Sequence, residues 1–199
     1  MANLYFYYAS MNAGKSALLL QTAFNYRERG MDVSLWTAAL DNRPAFGAIN
    51  SRIGLTSDAH RFTPETDVAA RVREEAARRG AADPHLACVL VDEAQFLTRD
   101  QVWQLARLTD RHDIPVICYG LRTDFQGQLF PGSAELLGVA DKLVEMKAVC
   151  HCGRKATMNQ RVDARGEPVT DGAQTEIGGN ERYVAVCRMH FVSDLADPT

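Results

Sequence analysis

Leu4-Tyr5-Phe6-Tyr7-Tyr8-Ala9-Ser10-Met11-Asn12-Ala13-Gly14-Lys15-Ser16 is the stretch that decides how this chain is read. The run from Leu4 to Tyr8 is short and apolar, as a buried strand is, and Lys15 opens a helical pattern that stops before Gly30. Between them, Ala9, Ser10, Met11, Asn12, Ala13, Gly14, Lys15 and Ser16 match the phosphate-loop pattern GxxxxGK[ST] at every fixed position but the first, where Ala9 stands for glycine. A loop between a strand end and a helix start turns successive backbone N–H groups and the positive helix terminus toward a β-phosphate. Lys15 would bridge the β- and γ-phosphates of a nucleoside triphosphate, and the Ser16 hydroxyl would ligate Mg²⁺. An ordinary turn with a chance Gly-Lys-Ser is the alternative, but strand, loop and helix fall here in the required order. Ala9 is tolerable if its φ is negative.

Outward from this loop, short apolar runs alternate with helical patterns, which predicts a mostly parallel sheet covered by helices. Strands are expected at Leu4 to Tyr8, Val33 to Trp36, Ala87 to Val91, Val116 to Tyr119 and near Lys142 to Met146. A second helix runs from about Asp67 to Arg79, with Gly80 as the residue that ends it. A third starts at Thr98, with Gln101 three residues on in a capping-box arrangement, and ends before Pro115.

The third predicted strand leads into Asp92-Glu93-Ala94-Gln95. In such sheets the carboxyl ends of the strands face the ligand, so Asp92 is placed to hold Mg²⁺ through water and Glu93 to accept a proton from whatever hydroxyl attacks the γ-phosphate. A solvated acidic turn is the plainer reading of the same residues. What Glu93 deprotonates, water or an alcohol, is left open by the pair itself.

From about residue 148 the texture changes to a smaller lobe with a Gly-rich interior that cannot build a hydrophobic core. Cys150-x-Cys152 and Cys187-x-x-His190 offer three thiolates and one imidazole, a closed set suited to structural Zn²⁺ that would cross-link the base of that loop. Four metal-free side chains are the competing view. Cys88 and Cys118 lie inside apolar strands and read as core residues. Ser193 to Thr199 reads as a frayed tail.

Composition bounds the partners. A chain of 199 residues with 46% apolar content can bury an ordinary core. A net charge of −3 and a pI near 5.9 give no electrostatic reason to expect a nucleic-acid polymer. No run approaches the roughly 20 apolar residues of a membrane span, and the N-terminal run lacks the basic flank of a signal peptide. A cytoplasmic protein with reduced thiols is expected.

Taken together these features resemble the type II thymidine kinases over residues 1 to about 191. The resemblance rests on Met11-Asn12-Ala13-Gly14-Lys15-Ser16, Asp92-Glu93-Ala94-Gln95-Phe96, Gly120-Leu121-Arg122-Thr123-Asp124-Phe125 and Ile177-Gly178-Gly179-Asn180-Glu181-Arg182-Tyr183. It implies an α/β fold of the P-loop, RecA-like kind at 1–147, a zinc-binding lobe with a lasso loop at 148–191 and a tail at 192–199. It also implies transfer of the γ-phosphate of ATP to the 5′-hydroxyl of thymidine, with Glu93 as the base. Asp41 and Arg43 match an element that approaches the γ-phosphate, and Gln95 joins the nucleotide-binding set with Asp92. Phe125 and Tyr183 match aromatic positions against the nucleoside, and Met11 and Leu121 match apolar wall positions. The lasso residues Gln174, Thr175, Glu176, Ile177 and Gly178 match the segment whose backbone bonds the pyrimidine edge. A homotetramer and feedback inhibition by thymidine triphosphate follow from the resemblance alone.

Two positions depart from the family pattern, Ala9 in the phosphate loop and Asn159, which stands where some relatives carry threonine near the pyrimidine methyl. Two other functions fit some of the same residues. A P-loop ATPase would use Glu93 on water, and a zinc-ribbon module would bind nucleic acid through Arg154, Lys155, Arg161 and Arg165, which form no dense basic run.

Overall fold

A computed structural model describes residues 1–39, 47–78, 86–174 and 182–195. In chain order it contains β1 (Leu4–Ala9), α1 (Lys15–Glu28), β2 (Asp32–Ala38), β3 (Ala48–Asn50), β4 (Thr56–Asp58), β5 (His60–Phe62), α2 (Val68–Arg78) and β6 (Leu86–Val91). A single 3₁₀ turn (Ala94–Phe96) then leads to α3 (Arg99–His112), β7 (Val116–Leu121), α4 (Pro131–Val139) and β8 (Lys142–Glu145). The C-terminal part holds β9 (Ala148–Val149), β10 (Lys155–Ala156), β11 (Met158–Val162), β12 (Pro168–Val169), β13 (Tyr183–Val186) and α5 (Arg188–Leu195).

Among the described residues the main sheet has six strands in the order β5-β2-β6-β7-β1-β8. Every neighbouring pair in it is parallel. A strand buried on both sides sends alternate side chains to opposite faces, and β6 does so: Val89 and Val91 join one apolar cluster, Cys88 and Leu90 the other. The first cluster is closed by Val68 and Val72 of α2, Val102, Leu105 and Leu108 of α3, and Leu136 of α4. The second is closed by Leu19, Leu20 and Ala23 of α1. Cys88 and Cys118 are both fully buried, and burial pushes the Cys88 thiol up to about 12, so both serve as core side chains.

The expected helix ends hold with small shifts. Thr98 caps α3: its side chain accepts the Gln101 N–H at 3.2 Å, and the Gln101 side chain accepts the Thr98 N–H at 3.0 Å. Gln101 also donates to the carbonyls of Thr63 and Thr66 at 2.7 and 2.9 Å, which ties the approach to α2 onto α3. Helix α2 is described as far as Arg78, and the expected terminal Arg79 and Gly80 lie outside the described residues.

Several elements differ from the sequence expectation, among them the short β3–β4 pair. β5 is a three-residue edge strand, His60–Phe62, too short and too polar to show a period. α4 reads Pro131-Gly-Ser-Ala-Glu-Leu-Leu-Gly-Val, with two glycines and no polar face opposite its apolar one. The segment from Ser193, expected as a tail, continues α5 to Leu195.

The C-terminal part has a small core outside its Gly-rich interior. A three-stranded antiparallel sheet, β12-β11-β13, and the β9-β10 hairpin enclose a small cluster of Cys150, Ala156, Val186, Cys187 and Phe191. These residues flank the Gly-rich stretch rather than belong to it. The lobe is fastened to the main sheet by polar bonds: Arg122 Nη2 donates to the Thr157 carbonyl at 3.3 Å, and Gln126 Nε2 to the Thr170 carbonyl at 3.0 Å. Lys155 pairs with Glu145 across the same boundary.

Two glycines press against the turn that follows β6. A Cβ on Gly132 would lie 2.5 Å from the Ala94 carbonyl oxygen, 2.8 Å from that of Leu97 and 2.9 Å from that of Gln95. A Cβ on Gly120 would lie 2.9 Å from Gln95 Oε1. Ser133 Oγ, fully buried, donates to the Leu121 carbonyl at 2.5 Å and closes the same packing. Because carbonyls of a fixed turn cannot step aside, Gly132→Ala is expected to destabilise the fold by about 2 kcal/mol. Gly138→Ala, in the same helix with open space around it, should stabilise by about 0.5–1 kcal/mol. Urea midpoints of the two variants check both signs.

Candidate active site

The phosphate loop leaves the carboxyl end of β1. Ala9 is the last residue of that strand and pairs with Leu121, so its backbone is extended and the missing glycine costs nothing there. Left-handed backbone falls further along, at Asn12 (φ 63°) and Gly14 (φ 81°). Glycine is therefore required at position 14, where φ alone restricts the residue, since a Cβ would meet nothing within 4 Å. Lys15 Nζ reaches back over the loop to donate to the Ser10 carbonyl at 2.9 Å. Burial lowers the Lys15 pKa, and the carboxylates of Glu93 and Asp92 act in the opposite sense.

The two acids arrive from β6 at the same edge. Asp92 is buried at 4% exposure, and its N–H is bonded to the Trp36 carbonyl at 2.8 Å. Burial and then the neighbouring Glu93 raise its pKa to about 7, while hydrogen bonds from the Ser16 side chain and the Glu93 backbone, with the Lys15 charge, hold it down. The Ser16–Asp92 contact brings two hard oxygen donors together beside a lysine, a donor set that fits Mg²⁺ with a polyphosphate.

Glu93 is half-buried and has φ 53°, an uncommon backbone for a side chain of its size. This bend separates it from the direction of Asp92 and begins the 3₁₀ turn. Gln95, buried at 1% exposure, donates from Nε2 to Glu93 Oε2 at 2.5 Å and accepts the Leu121 N–H on Oε1 at 3.0 Å. The Gln95 amide thus links Glu93 to the end of β7.

The residues expected around a nucleoside gather where the 120s loop meets the lobe. Leu121 is half-buried at the end of β7. Phe125 is fully buried, and the Arg161 guanidinium lies over its ring 3.7 Å from the centroid. Arg161 also donates to the Tyr183 hydroxyl from Nε at 3.0 Å and from Nη2 at 2.6 Å, and to the Ala173 carbonyl at 2.8 Å. The hydroxyl of Tyr183 is therefore engaged by the protein rather than by solvent. Asp124 accepts the N–H groups of Gln126 and Gln128, each at 2.9 Å, and the Gln174 side-chain amide at 2.9 Å. Asp41, Arg43, Thr175, Glu176, Ile177 and Gly178 lie outside the described residues.

Two side chains carry more of this geometry than the sequence suggested. Arg161, read there only as one of a few scattered basic residues, binds Phe125, Tyr183 and the start of the lasso together. Asn159 bonds backbone with each of its amide atoms: Oδ1 accepts the Met11 N–H at 2.6 Å and Nδ2 donates to the Thr123 carbonyl at 2.8 Å. Met11 is thereby bonded to the lobe. The alternation of Asn159 and Arg161 on one strand face was the only sequence signal, and a five-residue polar strand shows it poorly.

Cys150, Cys152, Cys187 and His190 converge, with all ligand atoms within 4.8 Å of one another. The Cys152 and Cys187 sulfurs are 3.9 Å apart, and His190 Nδ1 lies 3.3 Å from the Cys150 sulfur and 3.4 Å from that of Cys187. Tetrahedral Zn²⁺ with ordinary bond lengths sets S···S at about 3.8 Å and S···N at about 3.6 Å, so the four fit that ion. Burial opposes ionisation of Cys150, but hydrogen bonds from the backbone of Cys152 and Cys187 and from His190 outweigh it and bring the thiol down to about 5.

The comparisons with known proteins agree with this geometry. The sequence model of the family described as thymidine kinase matches residues 2–191. A thymidine kinase of Novosphingobium aromaticivorans is 70% identical over 191 residues, covering 96% of this chain and 97% of the relative. Thymidine kinases of Ruegeria pomeroyi and Legionella pneumophila (strain Lens) are 57% and 56% identical, each over 100% of this chain and over 98% and 93% of the relative. With a match that spans nearly the whole sequence and a phosphate loop, an acid pair and a Cys/His cluster in place, this chain belongs to the thymidine kinase family.

Proposed function

We propose that the protein transfers the γ-phosphate of ATP to the 5′-hydroxyl of thymidine, with Glu93 as the general base. The observation that carries this reading is the convergence of Lys15, the Ser16–Asp92 pair and Glu93 at one sheet edge, with Glu93 turned out of the β6 direction by its left-handed backbone. Lys15, released from the Ser10 carbonyl, takes up phosphate oxygens, and the backbone of Ala9 to Ser16 surrounds the triphosphate. Ser16 and Asp92 would hold Mg²⁺, which supplies charge neutralisation on the phosphates when bound. Asp41 and Arg43 are assigned to the γ-phosphate.

Glu93 accepts the proton of the 5′-hydroxyl as the oxygen attacks phosphorus, and Gln95 keeps its carboxylate aimed at the acceptor side. Met11, Leu121, Phe125, Tyr183 and the backbone of Gln174, Thr175, Glu176, Ile177 and Gly178 are assigned to the nucleoside. Closure of that segment would exclude water, which separates a kinase from an ATPase using the same acids. Zn²⁺ on Cys150, Cys152, Cys187 and His190 is structural in this reading, because all its positions are taken by protein.

The proposed division is a nucleotide-binding domain at 1–147, a zinc lobe at 148–191 and a tail at 192–199. No described helix is long and apolar enough to cross a membrane. A cytoplasmic homotetramer that is inhibited by thymidine triphosphate and acts on no nucleic-acid polymer completes the reading.

Glu93→Gln keeps the shape and the Gln95 partner but removes the base. Turnover is expected to fall by about 10²- to 10⁴-fold while the ATP dissociation constant stays within about threefold. ADP release by the parent protein without thymidine, at the rate seen with it, would instead assign the acids to water.

Cys152→Ser should lower bound zinc from one equivalent to a small fraction, raise the thymidine KM by about tenfold or more and leave ATP binding intact. Elemental analysis beside steady-state kinetics reads this. A zinc-free protein with full activity is the outcome that defeats it.

A further inference from the structure

β11 is the strand on which the two substrate sites meet. Asn159 and Arg161 are two residues apart on it, so they share one face of the strand. Both are buried, at 2% and 5% exposure. Arg161 reaches the acceptor side, through the Phe125 ring, the Tyr183 hydroxyl and the Ala173 carbonyl that leads into the lasso. Asn159 reaches the phosphate side, through the Met11 N–H. Its other amide atom grips Thr123, two residues before Phe125.

The strand itself is held on both edges. It pairs with β13 from Met158 to Arg161 and with β12 at Arg161 and Val162. With both edges bonded, β11 would carry any displacement of Arg161 by an acceptor to Asn159 as a rigid shift rather than absorb it in a loop. The bond from Asn159 passes that shift to Met11, which lies one residue before Asn12 and its left-handed backbone. The junction also has spare hydrogen-bonding capacity: Ser10 Oγ, beside Met11, and Thr123 Oγ1, on the residue whose carbonyl Asn159 holds, are buried with no hydrogen-bond partner among the described residues. These two hydroxyls give the loop alternative partners, which a second arrangement of the junction needs.

We infer that Asn159 is a positioning residue that couples the acceptor site to the phosphate loop, so that nucleoside binding and ATP binding strengthen one another through β11. This rests on the kinase reading, because it takes thymidine as the ligand on the Arg161 side.

The test measures the dissociation constant of a non-hydrolysable ATP analogue with and without saturating thymidine, and that of thymidine with and without the analogue. In the parent protein each ligand is expected to tighten the other by the same factor, about tenfold, as linkage requires. Asn159→Leu removes both bonds at similar volume, and its factor should fall to within about twofold of unity while each ligand alone still binds. Asn159→Asp keeps the acceptor for Met11 but turns an oxygen toward the Thr123 carbonyl, so an intermediate factor is expected. It also serves as the working variant if the leucine protein does not fold.

A purely structural role would lower thermal stability in both variants and leave the factor unchanged. That outcome, or a parent protein whose ligands bind independently, overturns the inference. Thymidine phosphorylation by the parent protein is measured alongside, so loss of the coupling claim and loss of the kinase reading give different results.

Discussion

A buried carboxylate beside a second carboxylate is the constraint around which the rest of this molecule is arranged. Asp92 and Glu93 are adjacent at the end of the most buried strand, and water cannot screen them there as it would on a surface. Lys15 offsets part of their charge from the start of α1, and Ser16 offers a hydroxyl to Asp92. This places α1 and β6 in fixed relation across the sheet, which requires the loop between β1 and α1 to be short and tightly turned. Its left-handed residues, Asn12 and Gly14, supply that turn.

The same constraint explains the packing behind Glu93. A left-handed glutamate stores strain of about 1–3 kcal/mol unless its surroundings determine it. Here they do: Gln95 bonds its carboxylate, Gly120 allows Gln95 to approach β7, and Gly132 lets the start of α4 lie against the carbonyls of the turn. Two glycines and one glutamine, none of them titratable, thus fix where one carboxylate points. Gly120 stands in the same loop motif as Phe125, so the backbone that admits Gln95 also leads into the acceptor pocket.

The sequence made the main sheet legible because its strands are buried on both faces and its helices carry caps. Leu86–Val91 and Val116–Leu121 are continuous apolar runs, and Thr98 with Gln101 is a local signal complete within four residues. β5 and α4 were not legible, since three polar-edged residues show no period and a helix with two glycines contradicts its own propensity. The phosphate loop, the acid pair and the Cys/His set were legible because each is a short motif whose chemistry fixes the spacing. Ala9 looked like a defect only because the pattern was read as a string; in three dimensions the position is the last residue of a strand.

The partners of Arg161 and Asn159 were illegible for the opposite reason. They lie between 12 and 148 residues away, so no local period or spacing reports them. A buried guanidinium on an aromatic face is recognisable only once the fold brings the 120s loop under β11. The proposed acceptor site is thus assembled from the C-terminal lobe's hydrogen bonds to a sheet that precedes it in the chain, whereas the phosphate loop is written in one continuous stretch. A lobe with a small core can hold such a site only if its base is fixed. The Cys/His set does this at one end, beside Phe191, and the bonds of Asn159 and Arg161 do it at the other. Loosening the Cys/His end would leave the phosphate loop intact, whereas loosening the Asn159 end would also release the Met11 N–H, so the two ends are not equivalent.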